Sequence, residues 1–378
     1  MKSKSKKQAV RAARTAGTPT GDPWLFTPGP LTTSPRVKHA MLHDFGSRDR
    51  AFIELTRRVR DRLVGLAGGG KSHVCVPIQG SGTFAVEAMI GTLLPRNGRL
   101  LNLVNGAYGR RITRICEYLG RSAAVLEVPE NKAIVPDAVD QALTADPGIT
   151  HVAVVHCETT SGIVNPVREI AAVAARQKRP LLLDAMSTLG ALPIDAGGWP
   201  VEALAASSNK CLEGVPGASF CIVRRSALAA SAGNAHALSL DLHAQWQGLE
   251  DNGQWRFTPP VHCLLALDRA LEELGREGGI RGRGRRYREN CRILVKGMRD
   301  LGFRTYLSDA VQGPIIVTFH VPAGGGFDFG RFYDGLRKRG YVIYPGKVTK
   351  AETFRIGCIG RIGPVQMRGL LAAVRALI

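Results

Sequence analysis

One aspartate and one lysine stand where a bound ligand could be held between an acid and an amine. Asp184 ends the buried apolar run PLLLDAM, and Lys210 follows 26 positions later (210 minus 184) in the small polar stretch SSNKCLEG. Ligands of open α/β sheets bind beyond the carboxyl ends of the strands, where Asp184 is expected to lie. A lysine ammonium is strongly solvated and usually stays in water. Its place in a tight loop of small residues therefore indicates a functional role.

A glycine turn upstream has the form of an anion site. The strand candidate VCVPI leads into Gly80, Ser81, Gly82 and Thr83 and then into a helical stretch. Backbone amides, two hydroxyls and the helix N-terminus would therefore face one point, which suits a phosphate. A phosphate seat, a strand-end acid and a lysine amine are the three groups that pyridoxal phosphate needs for its phosphate, its ring nitrogen and its aldehyde.

Two other nucleotide-binding patterns in the chain lack the structural context that they require. Residues 65–72 spell a Walker A string, GLAGGGKS, but a helical pattern precedes it and a strand pattern follows it. A phosphate loop needs the reverse order, so residues 68–70 are interpreted as a helix stop. Gly80, Gly82 and Ala85 imitate a dinucleotide fingerprint, yet the next strand candidate offers no acidic residue for a ribose.

Alternating strand and helix patterns predict an α/β fold. Apolar residues recur three or four apart from Arg50 to Leu66, which predicts a helix that ends at the following glycines. Buried strand candidates are SHVCVPIQ, RLLNLVN, SAAVLEVP, THVAVVHCE and PLLLDAM, with a helix after Pro166 between the last two. This alternation implies a mostly parallel sheet that is covered by helices on both faces.

The order of predicted helices and strands changes near Pro260, which suggests a second and smaller α/β domain. Two helical stretches, beginning near Cys263 and Asn290, precede a strand, a helix, a strand and a final helix. We therefore place a large domain at 23–259 and a small domain at 260–378, with residues 23–40 reaching the small domain. Residues 1–22 are expected to be a basic disordered tail.

Composition favours a soluble enzyme that works inside the cell. The chain has 378 residues and 44% apolar content, but no apolar run long enough to span a membrane and no secretory signal pattern, so a cytoplasmic location is expected. Eight cysteines stand far apart without a C-x-x-C pair and are expected to be small buried hydrophobes. His39 and His43 have a metal-ligand spacing but no further ligand set, so no metal is expected.

The charge balance is strongly positive, with 51 Lys and Arg against 31 Asp and Glu, or +20. Six bases lie in the first fourteen residues, and six arginines lie between Arg276 and Arg288. The arginine run is interpreted as a solvated helix start, because no aromatic residues interleave it as they would in a base-stacking surface. The charge would attract anions. It leaves open a nucleic-acid-binding protein on an inactive enzyme scaffold.

Seven segments together resemble the class V, fold-type I aminotransferases, and most closely those that act on 2-aminoethylphosphonate and pyruvate. They are LFTPGPLTTS, QGSGTFAVEA, NGAYGRR, HCETTSGIVNP, DAMSTLGALP, SSNKCLEGVPGASF and FRIGCIG, which cover the chain from about residue 24 to its end. The resemblance implies a large domain on a mostly parallel seven-stranded sheet flanked by helices, a smaller C-terminal α/β domain, and pyridoxal 5′-phosphate as cofactor.

The resemblance also implies a role for each site residue. Lys210 would hold the cofactor covalently and, once released, move the proton between the substrate and the cofactor, while Asp184 would keep the ring nitrogen protonated. The remaining cofactor contacts would be Ser81, Gly82 and Thr83 on the phosphate, Tyr108 on the ring face, Thr159 on the ring oxygen and Thr258 on the phosphate from a neighbouring subunit. A homodimer with the site at its interface follows from the last of these.

Arg355 resembles the residue that clamps the substrate anion. Its fork of donors suits both a phosphonate and a carboxylate, so one residue can serve both halves of an amine transfer. The expected reaction belongs to phosphonate catabolism and moves the amine of 2-aminoethylphosphonate to pyruvate, giving phosphonoacetaldehyde and alanine. A relative that uses alanine or serine with glyoxylate shares the same cofactor residues and stays open as an alternative.

Overall fold

The computed structural model describes residues 17–323 and 326–378, in which strands and helices alternate along most of the chain. Its strands are β1 (Trp24–Leu25), β2 (His73–Gln79), β3 (Arg99–Val104), β4 (Ser122–Glu127), β5 (His151–Val155), β6 (Cys157–Glu158), β7 (Ile163–Val164), β8 (Leu181–Asp184), β9 (Val201–Ser207), β10 (Ala218–Arg224), β11 (Ile316–His320), β12 (Tyr341–Val342), β13 (Tyr344–Pro345) and β14 (Thr353–Gly357). Its α-helices are α1 (Pro35–His39), α2 (Arg50–Leu66), α3 (Gly82–Leu93), α4 (Ala107–Tyr118), α5 (Pro136–Ala145), α6 (Val167–Arg176), α7 (Arg225–Ala230), α8 (Leu242–Asn252), α9 (Val261–Arg276), α10 (Gly279–Asp300), α11 (Phe329–Lys338) and α12 (Pro364–Arg375).

A seven-stranded sheet in the order β2-β10-β9-β8-β5-β3-β4 forms the centre of the larger unit. The strands from β9 to β4 are parallel, and β10 runs antiparallel to both of its neighbours. Alternate residues of β5 face two different cores, because successive side chains of a strand point to opposite faces. The predicted α/β class and mostly parallel sheet are confirmed.

Helix α2 begins and ends at the residues that the apolar spacing predicted. Its buried positions include Phe52, Leu55, Val59 and Leu63, which lie on one face against the sheet. The glycines that follow separate the end of α2 from the start of β2, and Gly68 adopts a φ of +67°. The Walker A string therefore lies between a helix and a strand, in the order that does not form a phosphate loop.

A three-stranded antiparallel sheet in the order β11-β14-β13 forms the second unit, packed against α10, α11 and α12. Phe319 and Phe354 stack in its core with ring centroids 5.6 Å apart. Strand β1 pairs in parallel with β12, so the N-terminal segment joins this unit. The domain boundary after residue 259 stays a prediction.

The predicted basic tail is only partly covered by the structure. Residues 1–16 lie outside the described residues. From residue 17 onward the chain makes a turn in which the Thr18 amide donates to the Asp22 carbonyl at 2.8 Å. The Asp22 carboxylate pairs with the Lys38 ammonium at 2.6 Å.

The arginine run is not a solvated helix start throughout. Arg276 ends α9, and the other five arginines lie on α10, which begins at Gly279, eleven residues before the start expected near Asn290 (290 minus 279). Arg283 is fully buried, and the guanidinium of Arg286 contacts two carboxylates. Those carboxylates, on Glu213 and Glu277, compensate the buried charge, so the expectation of solvation is wrong for these two of the six arginines.

The cysteines were expected to be small buried side chains without disulfide bonds. All eight cysteines are free thiols, and six of them are buried, which agrees with their expected packing role. Burial raises the pKa of the Cys75 thiol to about 12, so this group stays protonated.

Within the part of the chain that the structure describes, no helix is both long and apolar enough to cross a membrane.

Candidate active site

A cavity of about 190 Å³ lies where strands β5, β8 and β9 end and helices α3 and α4 begin. Seven of the nine predicted site residues line it: Ser81, Gly82, Thr83, Tyr108, Thr159, Asp184 and Lys210. These residues come from five separate segments of the chain. Parallel strands bring them together because their carboxyl ends meet at one edge of the sheet.

Asp184 is the last residue of β8, and its carboxylate is 7% exposed. Its Oδ1 accepts a hydrogen bond from the Met186 amide at 2.9 Å, while Oδ2 accepts none from the described residues. Burial raises the pKa of the Asp184 carboxyl to about 6, although the bond from Met186 opposes that shift. A buried carboxylate with one unused oxygen is suited to pair with a positively charged ring nitrogen.

Lys210 lies in the loop between β9 and β10 and points into the same cavity. Burial lowers the pKa of its ammonium to about 8, and the nearby charges of Arg355 and Arg111 act in the same direction. Its Nζ donates to the Gly29 carbonyl at 3.2 Å. A β-carbon on residue 29 would lie 2.6 Å from Cδ of Lys210, so only glycine allows this close approach.

The N-terminus of α3 forms the anion seat that the glycine turn predicted. Ser81 precedes the helix without capping it through its side chain. The Phe84 amide donates to the Ser81 carbonyl, whereas the amides of Gly82 and Thr83 have no acceptor among the described residues. A β-carbon on Gly82 would clash with Sδ of Met186, so a side chain at this position would require Met186 to move. The Thr83 hydroxyl accepts a hydrogen bond from Nη1 of Arg111 at 3.0 Å.

Glu158 positions Tyr108 and was not predicted as a site residue. Its buried carboxylate accepts from the amides of Tyr108 at 3.0 Å and Gly109 at 3.2 Å, at the start of α4. Thr160 donates to its other oxygen from both amide and hydroxyl. Burial raises the pKa of Glu158, and these donors oppose that rise. The sequence signal was present, because the acid follows directly on a strand candidate in HCETTSG.

Arg111 also lines the cavity and was also missed. Its Cζ lies 4.8 Å from the centroid of the Tyr108 ring, one turn earlier on α4. It forms no ion pair with a described residue; its contacts are that ring and the hydroxyl of Thr83. The spacing of three residues from Tyr108 in NGAYGRR was the available signal, since such pairs share one helix face.

Two predicted residues, Arg355 and Thr258, do not line the cavity. Arg355 lies on β14, is 5% exposed, and donates to the carbonyls of Pro345 at 3.0 Å and Thr159 at 2.9 Å. Burial lowers the pKa of its guanidinium. The bond to Thr159, a cavity residue, places Arg355 directly beside the cavity. Thr258 is exposed in the segment before α9 and makes no contact with the cavity within one chain.

The donors and acceptors around the cavity match pyridoxal phosphate. Free amides and hydroxyls at the start of α3 suit its phosphate, the unused oxygen of Asp184 suits its ring nitrogen, and the Lys210 amine suits its aldehyde. Tyr108 offers an aromatic face between these ends. The residues present therefore fit this cofactor.

Comparisons with known proteins agree with this arrangement. The family model "Aminotransferase class-V" matches residues 37–342. A protein of Pseudomonas putida (strain W619) named 2-aminoethylphosphonate--pyruvate transaminase is 52% identical, covering 94% of this chain and 96% of the relative. A protein of Burkholderia lata named 2-aminoethylphosphonate--pyruvate transaminase 2 is 52% identical, covering 93% of this chain and 94% of the relative.

Solved structures are similar over nearly the whole chain. The pyridoxamine-pyruvate aminotransferase of Mesorhizobium loti has a TM-score of 0.86 at 26% identity, covering 95% of this chain and 93% of that protein. The alanine--glyoxylate aminotransferase of Nostoc sp. has a TM-score of 0.87 at 22% identity, covering 94% of this chain and 95% of that protein. The latter likeness concerns the fold alone.

Proposed function

The chain belongs to the class-V aminotransferases, and we propose that it moves the amino group of 2-aminoethylphosphonate to pyruvate, giving phosphonoacetaldehyde and alanine. Its architecture is fold-type I, and its cofactor is pyridoxal 5′-phosphate. One observation carries the choice of substrates: the chain is 52% identical to named transaminases of this reaction over almost its full length.

The cofactor, when bound, accepts the amino group of the first substrate, hands it to the second, and draws electron density from the carbon that loses a proton. Asp184 would keep the ring nitrogen protonated through its unused oxygen, and that positive charge would strengthen the withdrawal of electron density. Its buried position supports this role, because an ion pair in a site shielded from water is stronger than one at the surface.

Lys210 holds the cofactor and then acts as the base. A burial-lowered pKa of about 8 leaves about a tenth of Nζ unprotonated at pH 7, far more than in a lysine with the ordinary pKa. The free amine can therefore take the proton from the substrate carbon and return it one position away. Lys210 also faces Asp184 across one cavity, which supports assigning the two residues to the same bound ring.

The phosphate end is held by Ser81, Gly82 and Thr83, and we add Arg111 to this set. Arg111 donates to Thr83 and has no acidic partner among the described residues, so its charge is available for the phosphate. Tyr108 would offer its ring to the face of the cofactor, and Thr159 would contact the ring oxygen; both residues line the cavity. All of these except the unpredicted Arg111 are the residues that the family resemblance implied.

Arg355 binds the anionic end of each substrate in turn. Its acceptors are backbone carbonyls rather than carboxylates, so its positive charge is not neutralised by a neighbour. A guanidinium fork matches the oxygens of either a carboxylate or a phosphonate. Its bond to the Thr159 carbonyl sets the side chain beside the cavity, which supports the role.

We further propose a homodimer that works in the cytoplasm. Thr258 would complete the phosphate seat of the neighbouring subunit, and its exposure in a single chain leaves it accessible for that contact. The free state of all eight thiols supports a reducing compartment.

Product analysis tests the proposal. The purified protein, loaded with pyridoxal phosphate, is given 2-aminoethylphosphonate with pyruvate, and alanine formation is followed by chromatography. Parallel samples receive alanine or serine with glyoxylate, and a Lys210→Ala variant controls for non-enzymatic transfer. Alanine formed from pyruvate in the first sample, at a rate well above glycine formation in the others, supports the proposal; the opposite ranking rejects it in favour of the glyoxylate-dependent alternative.

A further inference from the structure

Lys347 carries a positive charge beside Tyr108, one of the residues that line the cavity. Its Nζ lies 4.8 Å from the centroid of the ring of Tyr108, which lines the cavity. The lysines that form ion pairs among the described residues are Lys38 and Lys296, so Lys347 has no acidic partner there. The side chain is exposed, which keeps its charge available to a ligand.

The loop that carries Lys347 is held on both sides of it. The Gly346 amide donates to the Thr353 carbonyl at 2.9 Å. The Thr349 amide donates to the carboxylate of Glu130 at 2.8 Å. Glu130 is itself buried and paired with Arg110 at 2.9 Å, so the anchor belongs to the larger unit. These contacts fix the backbone of Lys347 beside the cavity and leave only its side chain free.

Lys347 and Arg355 extend from the same hairpin. Tyr344 on β13 pairs with Arg355 on β14, and Arg355 donates to the Pro345 carbonyl two residues before Lys347. Tyr108 links the hairpin to the cavity, because its ring both contacts Lys347 and lines the cavity. The hairpin thus brings two cations beside the cavity, in addition to Arg111, which contacts the same Tyr108 ring and donates to Thr83.

The two substrates of the proposed reaction differ in the charge of their anionic ends. A carboxylate has two oxygens and one negative charge, which one guanidinium fork can match. A phosphonate has three oxygens and carries up to two negative charges, so one fork leaves an oxygen and part of the charge unmatched. A lysine supplies a compact point charge that suits such an oxygen.

We propose that Lys347 is a specificity residue that binds the phosphonate of the amine donor and takes little part in binding the carboxylate of pyruvate. The inference rests on the proposed function, because it assigns the second cation for that donor. Arg355 serves both substrates, and Lys347 distinguishes them.

Unreactive analogues test the inference without turnover. Ethylphosphonate and propionate lack an amine, so their binding to the cofactor-loaded protein can be measured by calorimetry. Lys347→Met should weaken ethylphosphonate binding about tenfold, the size of one lost charged hydrogen bond, and change propionate binding less than about twofold. Lys347→Arg should restore most of the loss. Lys350→Met, which removes an exposed charge from the same loop, should change neither constant.

Equal weakening of both analogues by Lys347→Met, or no weakening of either, overturns the inference. So does a wild-type protein that binds ethylphosphonate no more tightly than propionate. The proposed function fails by a different result, namely no alanine formed by the wild type from 2-aminoethylphosphonate and pyruvate. The two failures are therefore separable.

Discussion

Glu213 and Arg283 face each other inside the protein with Oε2 and Nη2 3.7 Å apart, although both side chains are almost completely buried. Neither of these two atoms has a hydrogen-bond partner, so the pair acts through charge alone. Arg283 also donates from Nη1 to the carbonyl of Cys211 at 2.7 Å, immediately after Lys210. Glu213 accepts from the Tyr287 hydroxyl at 2.6 Å. Helix α10 therefore holds the loop that carries Lys210.

Arg283→Met should destabilise the protein by about 3–5 kcal/mol, because it leaves the Glu213 carboxylate buried with less compensation. Urea denaturation measures the free energy of unfolding. Arg285→Met, on the exposed face of the same helix, should change it by less than about 0.5 kcal/mol. Similar losses in the two variants would contradict a special role for the buried pair.

Asp184→Asn should lower the rate of amine transfer by about 100-fold or more, since the amide keeps the shape of the side chain but not its charge. Cofactor binding should weaken far less, because the phosphate seat is untouched. Steady-state rates and cofactor titration separate the two effects, and Asp137→Asn on the exposed side of α5 serves as the control. A variant that loses cofactor and rate in equal measure would indicate that Asp184 only shapes the cavity.

Covalent attachment of pyridoxal phosphate to the cofactor-free protein should accelerate as the pH rises through about 8, the lowered pKa of Lys210, and level off above it. The direction follows from chemistry, because only the unprotonated amine attacks the aldehyde. Borohydride trapping at successive times, followed by peptide mass spectrometry, identifies the modified residue and gives the rate of attachment. The Lys210→Arg variant should show no attachment. A rate that keeps rising toward pH 10 would show that burial does not lower the pKa of this amine.

Gly82→Ala should weaken cofactor binding, because its new methyl group would clash with the side chain of Met186 and push it away. The added Met186→Ala change should restore much of the affinity by removing the clash. Gly91→Ala in the same helix meets its nearest side-chain atom, on Leu119, at 3.5 Å and should be tolerated. Fluorescence titration of the cofactor compares the four proteins, and no rescue by the second change would exclude this clash as the cause.

The sequence predicted what depends on local pattern. The helix from Arg50 to Leu66 follows from apolar spacing, and the meeting of Asp184 with Lys210 follows from their positions after parallel strands. The helix prediction needs only the spacing of neighbouring apolar residues, and the site prediction needs only the fact that parallel strands end at the same edge of a sheet.

Contacts between distant segments were harder to predict. Glu158 caps the helix of Tyr108 from about 50 residues away in the chain, and no spacing rule reports such a contact. Arg283 was expected in solvent as part of the arginine run, because no aromatic residues interleave that run. Its partner Glu213 lies 70 residues earlier (283 minus 213), so the pairing is invisible in the local sequence.

The pairing of β1 with β12 joins residues more than 300 positions apart, Trp24 with Tyr341. Gly29, whose carbonyl accepts from the amine of Lys210, lies four residues after the end of β1 (29 minus 25). A chain still emerging from the ribosome cannot form this pair until residue 342 has been translated, so the last steps of synthesis bring the segment that carries Gly29 into place.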